Sequence, residues 1–145
     1  MTICSIFGDE EFENIREIRK RLSKRVKEMV DFGVEKFLIG QINTFDIMSL
    51  SVCAEQCNND NFDVNCVCST EDRFGKTKVF IDVFFGVKTC LYKNNTQQDP
   101  IFYMIKNMID DSEIIIIYFS KQESSEEIKF AYDYAQKLDK NILIL

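Results

Sequence analysis

Apolar positions recur along this chain with two periods, one near 3.6 residues and one near 2. Ile3 to Phe7 is a short apolar run ending at Gly8, which predicts a strand and a turn. Phe12, Ile15, Ile18, Leu22, Val26, Met29 and Val30 then keep helical spacing, and Gly33 closes that helix. Val34 to Ile39 predicts a second buried strand. Gly40 to Asn43 reads as a turn. Asn43 or Thr44 can cap a helix over Phe45 to Gln56, with Phe45, Met48, Val52 and Ile47 as its inward set. Phe62, Val64, Cys66 and Cys68 alternate as a third strand.

The stretch 69–98 has no clear period, although Val79 to Phe85 and Val87 to Tyr92 are β-prone. Asp99-Pro100 is a strong helix start, with Asp at the N-cap and Pro at the first helical position. That helix is expected to run to about Asp110. Ile114 to Phe119 is an unbroken run of β-branched and aromatic residues, as expected of a central parallel strand covered on both faces. Ser124-Ser125-Glu126-Glu127 reads as a capping box, with Ser124 as the cap. Ile128, Ala131, Tyr132, Ala135 and Leu138 continue as a helix, and Asn141 to Leu145 as a last strand.

Strands alternating with helices predict an α/β, doubly wound, mostly parallel sheet of about five strands, Rossmann-like, in the order 3-2-1-4-5. The 145 residues fit one domain, 1–145, with no linker or repeat. In such sheets ligands bind beyond the carboxyl ends of the strands. The loops after Phe7, Ile39, Cys68 and Phe119 are therefore the expected site.

Composition narrows the chemistry. The net charge is −6, which argues against non-specific binding to nucleic acid or an anionic membrane. The basic run from Arg16 to Lys27 is interleaved with the apolar stripe and reads as a solvated helix face. The chain has no His, which removes Ser-His-Asp, Cys-His and His-ligated metal mechanisms. Its 6 Cys lie mostly in apolar runs, and their spacing does not match zinc knuckles. They read as buried free thiols, with no metal site and no cofactor, in a cytoplasmic protein. No run is long enough for a membrane span and no targeting signal is evident at Met1 to Phe7.

Three of the loops join a strand to a helix start, where free amides favour an anion. They carry Gly8-Asp9-Glu10, Gly40 to Asp46 with Asn43 and Thr44, and Ser120 to Glu127 with Lys121, Ser124 and Ser125. No G-x-G-x-x-G or Walker sequence is present. Each candidate has a plainer reading beside the functional one. Gly8 and Gly40 suit strand-ending turns, Asn43, Thr44 and Asp46 suit a helix cap, and Glu127 suits the capping box.

The order of segments resembles the SLOG superfamily of Rossmann-like domains, related to the DNA-processing protein DprA and the LOG enzymes. It is most similar to small bacterial proteins of the YpsA-like type. Such proteins carry Phe-Gly-His-Arg after the first strand, where this chain has Phe7-Gly8-Asp9-Glu10. A Gly-x-x-Gly-x-Phe-Asp loop resembles Gly40 to Asp46, with Asn43 at the second glycine, a residue that tolerates positive φ. Met108 to Ser112 before an apolar strand is also similar, and a Gly-Thr-x-Glu loop resembles Ser124 to Glu127.

The resemblance implies binding of nucleotide-derived ligands, with Gly8, Asp9, Glu10, Gly40, Asn43, Thr44, Asp46, Lys121, Ser124 and Ser125 around them. It also implies that Glu127 stands at the acidic position of enzymes that cleave N-glycosidic bonds. Asp9 and Glu10 in place of His-Arg put negative charge where a phosphate would enter, so the expected function is a non-catalytic module for a small nucleotide-related ligand. The alternative is an N-glycosidase or nucleoside transferase using Glu127. A third reading is an interaction domain with a vestigial cleft, forming a homodimer through Phe80 to Phe85.

Overall fold

A computed structural model describes residues 1–9, 14–40, 43–57, 62–69, 88–92, 96–119 and 122–145. In chain order the elements are β1 (Ile3–Gly8), α1 (Ile15–Phe32), β2 (Lys36–Gly40), α2 (Thr44–Cys57), β3 (Asp63–Cys68), β4 (Lys88–Leu91), α3 (Pro100–Asp110), β5 (Ile114–Tyr118), α4 (Glu126–Lys137) and β6 (Asn141–Ile144). The strands form one six-stranded sheet in the order β4-β3-β2-β1-β5-β6, and every neighbouring pair is parallel.

The expected 3-2-1-4-5 order holds, with one further strand, β4, added outside β3. It lies inside the β-prone stretch Val87 to Tyr92, and what the sequence left unread was its place at the edge of the sheet. Its burial runs from exposed Lys88 to half-buried Leu91, so it lacks the apolar contrast of the central strands. The part of the sequence that predicted Val79 to Phe85 as β-prone lies outside the described residues, as does the Phe80 to Phe85 surface.

Alternation along the strands builds two apolar layers. Cys4, Ile6, Phe37, Ile39, Val64, Cys66, Ile114 and Ile116 face α1 and α2, packing on Leu22, Val26, Phe45 and Leu50. Phe7, Leu38, Val67, Ile115 and Ile117 face α3 and α4, packing on Met104, Met108, Ile128 and Ala131. Helices thus cover both faces of a parallel sheet, which is why Ile114 to Ile117 is apolar at every position. A small polar knot lies inside the second layer. Ser5 Oγ and Ser112 Oγ are 2.7 Å apart, and each reaches the Met108 carbonyl, at 3.2 and 2.7 Å. Burial of both serines requires such pairing, and the knot ties the end of α3 to β1.

Local rules hold at several helix ends. Asp99 Oδ1 accepts the amides of Ile101 and Phe102, with Pro100 in the first turn. Gly33 closes α1 at φ 120°, where a side chain would be strained. Two apolar expectations fail. Ile15 is 57% and Ile47 45% exposed. Ile15 is the first residue of α1, after Asn14 in the left-handed region, and so precedes the buried stripe Ile18, Leu22, Val26. Among the described residues no helix is long and apolar enough to cross a membrane.

Candidate functional site

Parallel pairing puts the carboxyl ends of β1, β2 and β5 on one rim. The chain leaves β1 toward β2 and β3, and later returns to β5 on the other side of β1. The switch point of the sheet is therefore the crevice between β1 and β5, where open α/β sheets place ligands.

Gly8 ends β1 beside Tyr118 of β5. A Cβ on Gly8 would lie 2.4–2.6 Å from the Phe45 ring. Phe45 is fully buried and stacks on Tyr118, with centroids 6.1 Å apart and planes 14° from parallel. Gly8 is thus required by the start of α2 coming down on β1, a packing reason that neither the turn reading nor the ligand reading anticipates. Gly40 ends β2 and is buried, paired with Val67 of β3.

Asn43 caps α2. Its Oδ1 accepts the Asp46 amide at 3.1 Å, and its own amide donates to Asp46 Oδ2 at 3.3 Å. This reciprocal pair satisfies free amides at both ends of the first turn. The tolerance of Asn43 for positive φ is not called on there. Among the described residues the non-glycine positions with positive φ are Asn14 and Asp139. Asn43 Nδ2 also donates to the Gly8 carbonyl at 2.8 Å, which pins the β2 loop to the β1 loop. Thr44 is the exposed first residue of α2, and Asp46 is buried in it at 3% exposure.

Across the crevice, the Ser125 amide donates to both carboxylate oxygens of Asp9, at 3.2 and 3.1 Å. The contact joins residues 116 positions apart and spans the switch point. The chain's own carboxylate thus lies at the positive end of α4, where a ligand anion would otherwise be favoured. The Ser124–Glu127 capping box is not formed. Ser125 is the N-cap and its Oγ accepts the Ile128 amide at 3.3 Å, while Ser124 is buried at 7% exposure. Glu127 is half-buried in the first turn of α4, and among the described residues nothing hydrogen-bonds or ion-pairs with its carboxylate. Glu10 and Lys121 lie outside the described residues.

Burial pushes the Cys4 and Cys53 thiols up from their ordinary value. Cys66 is raised by its hydrogen bond with Cys68, by burial, and by the charge of Asp46. All six cysteines are free, and among the described residues no cluster of acidic, Cys or His residues could hold a metal ion. Two tyrosines near the rim are engaged in ring stacking, Tyr118 on Phe45 and Tyr132 on Phe119 with centroids 4.2 Å apart, while Tyr134, toward the far end of α4, donates to Asp110 at 2.6 Å.

No protein-family model matches the chain, and no curated protein matches it. The chemistry of the rim therefore rests on its own geometry. Of the sequence-predicted residues, Gly8, Asp9, Asn43, Asp46 and Ser125 meet in three linked contacts, Asp46 to Asn43, Asn43 to Gly8, and Asp9 to Ser125. No local signal marked the Asp9–Ser125 pair, since its partners are near opposite ends of the chain.

Proposed function

We propose that the chain is a SLOG-like, non-catalytic module that binds a small nucleotide-derived ligand in the crevice beyond β1, β2 and β5. The observation that carries this reading is the gathering of three predicted loops at the switch point by Asn43 and Asp9. The Asp9 carboxylate favours an uncharged ligand, a nucleoside or its base, over the corresponding phosphate. At about 4 Å and an effective dielectric near 20, two unit charges of like sign cost roughly 4 kcal/mol. Titration calorimetry of the chain against nucleobases, nucleosides and nucleoside monophosphates tests it. A nucleoside should give measurable heat, with its phosphate at least about tenfold weaker, a gap of about 1.4 kcal/mol. No heat from any of them ends the proposal.

A second reading is favoured by one observation, the Glu127 carboxylate without a partner among the described residues. The capping box that offered it a structural task is not formed, since Ser125 caps α4. A carboxylate in that state suits attack on, or water activation at, a ribose carbon. Release of free base from nucleosides, abolished in Glu127→Gln, would establish an N-glycosidase or transferase. Equal release by that variant would remove it.

A further inference from the structure

The outer face of α1 departs from the charge of the rest of the molecule. α1 holds seven Lys and Arg against three acids, a surplus of four cations in a chain at −6, so the remainder is at −10. Three of its four arginines hold acids: Arg19 with Glu55 at 2.7 Å, Arg21 with Glu17 at 3.6 Å, and Arg25 with Glu28 at 2.9 Å. Arg16, Lys20, Lys24 and Lys27 are exposed, and among the described residues nothing pairs with them. They follow one another at steps of four, four and three, so they form a line about 16 Å long. An open depression of about 600 Å³ runs along it, lined by these four with Arg19 and Ser23. The opposite side of the same helix is anchored by Ile18, Leu22 and Val26, which fixes the line in place.

We infer that this line is a docking surface for an acidic segment of another protein. Carboxylates four apart on a partner helix repeat at about 6 Å, the same step as the cations. Three of the four free cations are lysines, point charges that pair one to one with carboxylates, whereas the forked guanidinium groups that suit phosphate are mostly neutralised. A nucleic acid longer than the line would run onto the acidic remainder, which it senses within a Debye length of about 8 Å. The surface lies on the helix flank, and the inference stands apart from the crevice reading.

Fluorescence anisotropy with the full chain tests it, using a labelled alanine-based helical peptide with four glutamates at the spacing of the cations. A peptide of identical composition with its glutamates distributed around the helix is the control. The matched peptide should bind about tenfold more tightly than the control, and its affinity should fall with salt. R16Q/K20Q/K24Q/K27Q should weaken it about tenfold or more, while R21Q/R25Q, on the other flank of α1, changes it less than about twofold. K20Q/K24Q, with two exposed changes, should show the same ordering at about threefold if the quadruple variant fails to fold. Equal binding of the two peptides, equal loss in both flank variants, no binding, or tighter binding of a single-stranded oligonucleotide of equal charge each overturns the inference.

Discussion

Gly8→Ala tests the packing at the centre of the rim. The added Cβ would lie 2.4 Å from Phe45 Cδ1, 2.5 Å from Cε1 and 2.6 Å from Cγ. That is roughly 1 Å inside the ordinary carbon–carbon separation of about 3.5 Å. The ring has no room to retreat, because it is fully buried and backed by Tyr118. Overpacking of this kind costs about 1–3 kcal/mol, and loss of glycine freedom in the unfolded chain returns less than about 1 kcal/mol. The expected net loss is about 1–2 kcal/mol. For 145 residues the unfolding entropy is about 0.3 kcal/mol per degree, so the melting temperature should fall by about 3–7 °C. Urea denaturation and calorimetry of Gly8→Ala, Phe45→Leu and the double variant measure it. The smaller side chain should relieve the clash, leaving the double variant better than additive by at least about 0.5 kcal/mol. A single Gly8→Ala within about 0.5 kcal/mol of the parent, or strict additivity, refutes the reasoning.

Asp9→Asn keeps an acceptor for the Ser125 amide but removes the charge at the start of α4. It should cost about 0.3–1 kcal/mol at low salt, and the difference should shrink in concentrated salt; denaturant midpoints at two ionic strengths check this. Toward a thiol reagent at neutral pH, Cys57 and Cys90 should react first, because they are half-buried, while Cys4 and Cys53 wait for unfolding. Rapid labelling of Cys4 would contradict the packing described. Burial, then the hydrogen bond to Asp110 and its charge, push the Tyr134 phenol from 10 up to about 12. Its folded value is the higher one, so its contribution is complete below pH 10 and is lost between pH 10 and about 12. Thermal melts across that window should decline less steeply for Tyr134→Phe, and an unchanged decline sinks the assignment.

Where the determinants are close along the chain, the sequence carries the answer. Asp99-Pro100 started α3 where expected, Gly33 ended α1, and the isoleucines from Ile114 occupied a strand buried on both sides. These depend on periodicity and on caps that act over a few residues. The parallel order of the first, second, third and last two strands followed from alternation of strand and helix. β4 was legible as a β-prone stretch, Val87 to Tyr92, but not as a sixth strand of the sheet, because an edge strand is half exposed and its apolar pattern is weak.

The rim was legible as a place and less so as an arrangement. Glycine at position 8 and Asn43 could be picked out, yet their tasks are set by Phe45 and by a bond from Asn43 to the Gly8 carbonyl. Likewise Ser125 rather than Ser124 caps α4, in a stretch where Asp9 takes the Ser125 amide from across the crevice. The sequence by itself determined the elements, their parallel order and the loops that share an edge, because those follow from short-range periodicity and chain handedness. Only the tertiary structure decided which polar group meets which at that edge, because such pairs join residues far apart in the chain and depend on how the helices settle on the sheet.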